Sequence, residues 1–432
     1  NLKRAFLENR NSLLYGKIKL YISDNGQTLA QEEITDKNIK CVYNKNAGGA
    51  GGFTRCMLEA LSEQEDCRFT HFLFMDDDIV LEPEVLYRSY VLLTMCREEY
   101  ASFSIGGALL RKDIPYIQYA CGENWEVDRV RSLKQGYSLV EEEMLIRNDE
   151  EENPDYNAWW YSFIPFSEEQ RNHLPLPVFI HKDDIEYGLR FRGKVMTMNG
   201  IGVWHDAFEH RKSSVMEYYD LRNMLILNAV HFPEYTWRQA RRHIWRHLVY
   251  QCIKYRYADA ELTLRGLEDF CKGIDFLKET EPEALHRELQ KKGYAWEDVS
   301  AKLREMQVFD ETEPGADKGK RKEAWQKNAG LSWKHIVTLN GWLLLGKRKK
   351  QALPMGVSGY SLFRIKRVLY YEPESKKGFE TERRYRELYF LVRHMRQAGK
   401  LLKGQYHKAA KEYRERIGEI TNEEFWRRYL GC

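Results

Sequence analysis

Three adjacent acidic residues, Asp76, Asp77 and Asp78, directly follow an apolar run from Thr70 to Met75. The run has the composition of a buried strand, and α/β proteins bind ligands at the sheet edge where parallel strands end. We therefore expect the three carboxylates to face a cleft. Adjacent carboxylates repel each other unless a cation neutralises them, and Mg²⁺ or Mn²⁺ suits such oxygen ligands. The triplet alone would also fit an exposed acidic turn, or a phosphatase with an aspartate nucleophile.

A glycine-rich segment, NKNAGGAGGF, runs from Asn44 to Phe53, between a predicted strand and a helix predicted to begin at Gly51. Its glycines are Gly48, Gly49, Gly51 and Gly52. Glycine lets the backbone approach a ligand closely, and free N–H groups at a helix start bind diphosphates. The spacing matches neither the dinucleotide-binding motif nor the P-loop, so a flexible turn explains the glycines equally well.

An acidic pair and a histidine complete the candidate chemistry. Asp183 and Asp184 begin a predicted helix, where they could cap the helix or where one could act as a general base. His205 ends the run Gly200 to His205. A lone histidine is more often a core or surface residue, but an imidazole beside an acidic cluster readily completes a metal site.

Six motifs occur in an order that resembles the inverting glycosyltransferases of family 2, which have the GT-A fold. Within that family they most resemble the polymerising galactofuranosyltransferases. The motifs are Asp24-Asn25-Gly26, the glycine-rich segment, Asp76-Asp77-Asp78, Trp159-Trp160, DDIEYGLR from Asp183 and VWHDAF from Val203. The resemblance covers roughly residues 1–232, and each motif is modest alone.

The resemblance implies a role for each matching residue. It implies that Asp76, Asp78 and His205 hold Mn²⁺ or Mg²⁺, and that Asp184 is the catalytic base. The donor-binding residues that it implies are Asp24, Asn44, Gly48, Gly49, Gly51, Gly52 and Asp77. The acceptor-binding residues that it implies are Trp159, Trp160 and Asp183.

The implied roles agree with the chemistry of sugar transfer. A metal ion stabilises the diphosphate that leaves, and one base removes the acceptor proton during attack from the opposite face. Indole rings stack on the apolar faces of sugars, although ordinary core packing would equally explain Trp159 and Trp160.

Two family features do not appear in the sequence. The first strand of the fold should precede the helix predicted over Asn1 to Leu14, so we expect either further sequence upstream or a sheet that is built differently. A small β domain ahead of the catalytic domain is also not recognisable.

The composition favours a folded cytoplasmic protein. Of the 432 residues, 43% are hydrophobic and 31% are charged, and no apolar run is long enough to cross a bilayer. An N-terminal secretory signal is not recognisable. The eight cysteines form no C-x-x-C pair, which favours reduced thiols over a zinc site or a disulfide framework.

Charge is divided unequally along the chain. Residues 321–432 carry 26 Lys and Arg against 11 acidic residues, a net charge of +15 that leaves −12 for the first 320 residues. The basic region includes Trp325, Trp333, Trp342 and Trp426. It could dock on anionic lipid at the inner membrane face, on the acidic half of its own chain, or on a second subunit.

The sequence thus predicts an α/β GT-A domain over residues 1–232 and a basic, α-helical C-terminal domain over 233–432, with a linker near 301–322. The predicted function is transfer of galactofuranose from UDP-galactofuranose onto a glycan or lipid-linked glycan of the cell surface. The same fold also serves rhamnosyl- and hexosyltransferases. Two different classes would fit the acidic residues as well: a non-catalytic glycan-binding scaffold, and a phosphatase or nucleotidyltransferase. A homo-oligomer is compatible with the sequence, and no nucleic-acid partner is expected.

Overall fold

A computed structural model describes residues 9–191, 194–206, 213–306, 332–356, 358–373 and 375–432. The helices are α1 Gln31–Ile34, α2 Gly48–Ser62, α3 Gln64–Cys67, α4 Pro83–Met95, α5 Glu142–Asn148, α6 Asp183–Phe191, α7 Ser214–His231, α8 Trp237–Ile253, α9 Tyr257–Phe270, α10 Ile274–Glu279, α11 Pro282–Lys292, α12 Ser300–Glu305, α13 Trp333–Val337, α14 Tyr385–Arg416 and α15 Glu423–Leu430. The strands are β1 Leu20–Asp24, β2 Ile39–Tyr43, β3 His71–Phe74, β4 Ser104–Arg111, β5 Gln118–Ala120, β6 Glu123–Trp125, β7 Val130–Ser132, β8 Ser162–Pro165, β9 Val195–His205, β10 Glu297–Asp298, β11 Lys347–Pro354, β12 Ile365–Tyr371 and β13 Lys377–Glu382.

Several sequence predictions fall on residues outside those ranges. They are the first eight residues of the predicted N-terminal helix, most of the predicted linker, the last two residues of the VWHDAF motif and Trp325. The described part of the N-terminal helix, from Asn9 onward, forms turns instead. Side chains explain the difference, because Asn9 Oδ1 accepts from the N–H of Asn11 and Ser12 Oγ accepts from that of Leu14. Such local bonds compete with a helix.

A mixed sheet organises the first half of the chain. Its order is β3-β8-β4-β5, with β9 paired to β4. Strand β9 runs parallel to β4, whereas β8 runs antiparallel to both β3 and β4. Strands β3, β4 and β9 therefore point the same way, and their carboxyl ends meet at one edge of the sheet. A separate parallel pair, β1 and β2, lies beside α2.

The mixed α/β class agrees with the sequence prediction. The sheet contains both parallel and antiparallel pairs, because β8, with the sequence SFIP, runs antiparallel to β3 and β4. Antiparallel neighbours do not require the crossover connection that a parallel pair needs.

Helix α7 lies at the centre of the molecule. Most of its side chains are buried, and it packs against α6 of the first half and against α9 and α14 of the second. A helix with apolar side chains on all sides is expected to be buried in this way. The C-terminal helices therefore share one core with the sheet.

The C-terminal region is mainly helical, as predicted, but it also contains a four-stranded sheet. The strand order is β10-β13-β12-β11, with β11 parallel to β12 and the other pairs antiparallel. The sequence predicted only one strand here, over residues 361–371. Strands β11 and β13 were not predicted, because a strand rich in lysine or glutamate lacks a clear apolar alternation. In the structure, Lys350 and Lys302 both pair with Glu380. Of the helices in the described ranges, none combines the length and apolar composition that a bilayer span requires.

Candidate active site

Asp76, Asp78 and His205 converge at the sheet edge. One ligand atom from each lies within 4.8 Å of the others, and His205 Nε2 is 2.9 Å from Asp78 Oδ1. The acids follow β3 and the histidine ends β9, two strands that point the same way. Val80 and Trp204 exchange backbone hydrogen bonds of 2.7 and 3.1 Å, which fasten the segment after the acids onto β9. The structure thus brings together the three residues that the sequence proposed as metal ligands.

The electrostatics of the cluster suit a divalent cation. Burial, followed by the charges of Asp78 and Asp184, raises the pKa of Asp76 to about 6. Nδ1 of His205 lies 2.6 Å from the backbone oxygen of Asp206. Because a carbonyl oxygen can only accept a hydrogen bond, Nδ1 is the donor, and Nε2 faces Asp78. A carbonyl that fixes the far nitrogen in this way is common behind metal-binding histidines. Two carboxylates and one imidazole are ligands that Mn²⁺ and Mg²⁺ sites use.

The acidic pair Asp183 and Asp184 lies at the first turn of α6. Burial and the neighbouring Asp184 charge raise the pKa of Asp183 to about 7, and burial raises the pKa of Asp184. The charge of Asp184 also contributes to the raised pKa of Asp76. The predicted base therefore lies within electrostatic range of the predicted metal ligands.

The segment that leads into the acidic pair has an unusual backbone. Phe179, His181 and Lys182 all have positive φ, at 75°, 65° and 67°. For residues other than glycine this conformation is unfavourable, and it persists only where surrounding contacts impose it. Such outliers cluster at functional sites.

Helix α7 supplies the contacts that hold this segment. Asn223 Nδ2 donates to the backbone oxygens of Ile180 and His181, each at 2.8 Å. Asp220 pairs with His181 at 3.0 Å and with Lys182 at 2.5 Å. The buried Arg222 donates to the Val178 oxygen at 2.7 Å. The sequence alone did not identify these residues, because a polar residue on a helix gives no sign of the distant loop that it contacts.

A buried glutamate lies near Asp184 and was also missed. Burial raises the pKa of Glu123 to about 7, and the charge of Asp184 contributes. Ser132 Oγ donates to Glu123 Oε1 at 2.8 Å across the β6–β7 hairpin. The charges of Glu123 and Asp184 add to the effect of burial and raise the pKa of Tyr156 well above its usual value. Glu123 is an isolated acidic residue in a three-residue strand and belongs to no sequence motif, so only its burial in the structure identifies it.

The glycine-rich segment forms the start of α2, which begins at Gly48 and not at Gly51 as the sequence suggested. Gly48 has φ +71°, and a Cβ there would lie 2.0 Å from the backbone oxygen of Phe179. Only glycine fits this position. Asp183 Oδ2 lies 3.7 Å from where a Cβ on Gly49 would stand, so the segment borders the acidic pair.

The other predicted donor-binding residues lie around the same helix start. Asn25 donates to the Gly48 oxygen at 3.0 Å and accepts from Asn44 at 2.9 Å, and it lies 3.3 Å from a Cβ position on Gly52. Gly51 has a packing role, because a Cβ there would collide with Ala47. An open pocket of about 480 Å³ adjoins this cluster. Its lining includes Asn25, Gly26, Asn44, Lys45, Asn46 and Arg55.

Asp24 and Asp77 take different positions around the site. Asp24 accepts from the backbone N–H groups of Leu29 at 2.7 Å and Gly26 at 3.1 Å, and these bonds lower its pKa. Its carboxylate thus shapes the turn after β1. Asp77 is exposed, between the two predicted metal-binding acids in the chain.

The two tryptophans predicted to bind acceptor lie in the hydrophobic core. Trp159 and Trp160 are only 4% and 5% exposed. The Trp159 ring is 4.9 Å from that of Phe74 and 5.7 Å from that of Tyr187, so it packs against both β3 and α6. Trp160 donates its indole N–H to the Gly107 oxygen at 2.8 Å. Core packing describes this arrangement, and Trp159 helps to hold the two acidic segments together.

The chain is similar in sequence to glycosyltransferases. One relative is the galactofuranosyltransferase GlfT2 of Mycolicibacterium smegmatis, 30% identical over 259 residues, and another is GlfT2 of Mycobacterium tuberculosis, 33% identical over 256 residues. The matches cover 55% and 54% of this chain but only 38% of each relative. The resemblance to galactofuranosyltransferases is thereby confirmed. No protein-family model matches the chain.

Proposed function

We propose that this chain is the catalytic part of a metal-dependent, inverting glycosyltransferase with a GT-A-type fold. The observation that carries the proposal is the convergence of Asp76, Asp78 and His205 within electrostatic range of Asp184. The proposed donor is UDP-galactofuranose, since the relatives are named galactofuranosyltransferases. The proposed acceptor is a growing cell-surface glycan, free or lipid-linked.

Each group has a defined task in this proposal. Asp76, Asp78 and His205 would hold Mn²⁺ or Mg²⁺, which when bound offsets the negative charge of the departing diphosphate. The N–H groups at the start of α2 bind negatively charged oxygens of the donor. Asp184 removes the proton of the acceptor hydroxyl as its oxygen bonds to the anomeric carbon. The bond from that carbon to the diphosphate breaks on the opposite face, so the configuration inverts.

Asp183 is proposed to help orient the acceptor. It borders Gly49, is buried, and carries a raised pKa, so near neutral pH it can offer either a proton or a lone pair to a sugar hydroxyl. The charge of Asp184 contributes to this raised pKa of Asp183, so the pair does not ionise fully at low pH.

The experiment that tests the proposed function is a screen of nucleotide sugars, with product analysis in the presence and absence of Mn²⁺. We expect Mn²⁺-dependent release of UDP from UDP-galactofuranose and extension of a galactofuranose-containing acceptor. Turnover of dTDP-rhamnose or a UDP-hexose instead would overturn the sugar assignment. No turnover of any donor would overturn the assignment as a transferase.

Transfer should depend strongly on pH. The base must be ionised, and the pKa of Asp183 is raised to about 7 while that of Asp184 is raised as well. We therefore expect kcat/KM to fall about tenfold for each pH unit below the pKa of the pair. The Asp183→Asn variant should keep this acidic limb, because burial and not the charge of Asp183 raises the pKa of Asp184. A flat pH profile between about pH 5 and pH 8, measured with saturating Mn²⁺, would contradict the assignment of this pair.

A further inference from the structure

The open pocket of about 480 Å³ beside the glycine-rich segment has walls from both halves of the chain. The first half lines it with the turn after β1, the glycine-rich segment and a side chain of α2. The C-terminal region adds Glu283 of α11 and, at the end of α15, Leu430 and Gly431. These three residues lie beyond residues 1–232, the range of the motif resemblance. The pocket therefore depends on a part of the chain in which the sequence predicted no site residue.

Lys45 connects the two halves at this pocket. Its Nζ donates to the backbone oxygen of Tyr429 at 3.1 Å and lies 5.0 Å from the centre of the Tyr429 ring. The same group pairs at 2.7 Å with Glu281, which directly precedes α11. The Tyr429 hydroxyl in turn donates to the Thr280 oxygen at 3.4 Å. These contacts hold α11 and α15 against the glycine-rich segment.

The pocket lies on the side of α2 that faces away from the acidic pair. An α-helix turns by about 100° per residue, so residues two positions apart face nearly opposite sides. A Cβ on Gly49 would lie 3.7 Å from Asp183 Oδ2, whereas a Cβ on Gly51 would lie 3.7 Å from Leu430 Cδ2. The proposed function places the sugar of the donor near Asp184 and its diphosphate at the start of α2. The nucleoside, at the other end of the diphosphate, then reaches this pocket.

The lining of the pocket suits a neutral polar ligand better than another phosphate. Arg55 pairs with Glu59 at 2.7 Å and Lys45 pairs with Glu281 at 2.7 Å, so both cations already have carboxylate partners. Amide side chains form much of the remaining lining, namely Asn25, Gln27, Asn44 and Asn46. Amides donate to and accept from hydroxyl and carbonyl groups, which are the polar groups of a nucleoside.

Glu283 is the carboxylate that the C-terminal region brings to this pocket. Its side chain is 37% exposed, and Arg287 pairs with one of its oxygens, Oε1, at 2.5 Å. A carboxylate accepts hydrogen bonds from the hydroxyls of a ribose, as acidic residues do in dinucleotide-binding folds. Asp24 lies nearby but accepts from backbone N–H groups of its own turn, at Leu29 and Gly26.

We propose that Glu283 binds the ribose hydroxyls of the nucleotide, so that the C-terminal region completes the donor site and selects a ribonucleotide. The proposal rests on the proposed function for the identity of the donor, a UDP-sugar. A dTDP-linked donor lacks the 2′-hydroxyl, so the same contact would disfavour it. A site that hydrogen-bonds a hydroxyl discriminates against an analogue without it.

The test is calorimetry of the full chain at saturating Mn²⁺, with UDP and with 2′,3′-dideoxy-UDP, which lacks both ribose hydroxyls. The wild type should bind UDP about tenfold more tightly than the dideoxy analogue, because a hydrogen bond to a charged group contributes about this factor. Glu283→Ala should bind UDP about tenfold more weakly than the wild type and should bind the analogue no more weakly than the wild type does. Removing a negative charge near an anionic ligand would by itself strengthen binding, so weaker binding of UDP reports the lost hydrogen bonds.

The matched control is Glu288→Ala on the same helix. Glu288 pairs with Lys292 at 2.6 Å, so each variant loses one charge and one ion pair between residues four apart. Glu288→Ala should bind both nucleotides as the wild type does, and the two variants should have the same unfolding midpoint.

Three results would overturn the proposal: equal affinity of the wild type for UDP and the dideoxy analogue, unchanged UDP affinity in Glu283→Ala, or equal loss in both variants. With UDP-galactofuranose, Glu283→Ala should have a KM about tenfold higher and an unchanged kcat, since the contact is made equally in the ground state and the transition state. Failure of the proposed function would appear instead as a wild type that binds UDP with this ribose dependence but transfers no sugar.

Discussion

The Asp184→Asn variant should lose sugar transfer by about 10²–10⁴-fold while it still binds Mn²⁺ and UDP. An asparagine has the same shape, and its amide oxygen can still accept from the Ile185 N–H, a bond of 2.8 Å in the structure. The change therefore removes the proton acceptor and leaves the start of α6 intact. Rates should be measured under single-turnover conditions, so that product release does not hide the chemical step.

The control for this variant is Asp66→Asn, which neutralises an exposed acid on α3. It should transfer sugar at the wild-type rate. Transfer by Asp184→Asn within about threefold of the wild type would remove Asp184 as the base, and Glu123 would then be the next buried carboxylate to test. Because the introduced asparagine carries no charge, the pKa of Asp76 should also fall toward its usual value. This change in the Asp76 pKa reports the electrostatic effect on the metal site separately from the loss of the base.

The second large effect is expected at the metal-binding residues. Asp78→Ala and His205→Ala should each weaken Mn²⁺ binding by about 100-fold or more, since even outer contacts to metal ligands are worth about 10- to 100-fold. Calorimetry with Mn²⁺ measures the affinity directly, and transfer should fall in parallel. A chelator should abolish transfer by the wild type, and added Mn²⁺ should restore it.

His173→Ala serves as the control, because this histidine is exposed and distant in sequence from the cluster. Its Mn²⁺ isotherm should match that of the wild type. Unchanged isotherms for Asp78→Ala and His205→Ala would show that the cation binds elsewhere. Loss of activity in these variants with unchanged Mn²⁺ affinity would assign the two residues to the substrate and not to the metal.

The sequence predicted those parts of the site in which polar residues stand at the carboxyl end of a strand. The apolar run before Asp76 and the run before His205 both form strands, and strands of one sheet that point the same way bring their ends together. A strand was predicted over residues 39–43, which are the observed bounds of β2. The strand predicted over 105–110 and the helix predicted over 84–96 agree with β4 and α4 to within one residue at each end. The local sequence pattern was sufficient to predict these elements, because burial of one or both of their faces determines where their apolar residues lie.

The parts that the sequence did not predict depend on contacts between distant residues. Glu123 becomes significant only because the fold buries it near Asp184, and Asn223 only because α7 packs against the loop from Val178 to Lys182. Trp159 was expected to contact the acceptor and is found in the core. The sequence does not distinguish these positions, since an apolar ring beside a site and an apolar ring inside the site have the same local pattern.

The most direct test of the central claim is a crystal grown with Mn²⁺ and UDP, with the cation located by its anomalous scattering. We expect one strong peak in contact with Asp76, Asp78 and His205, with the UDP phosphates beside it and the Asp184 carboxylate free to face an acceptor. A peak ligated by Asp183 and Asp184 instead, or no peak at the three predicted ligands, would contradict the claim.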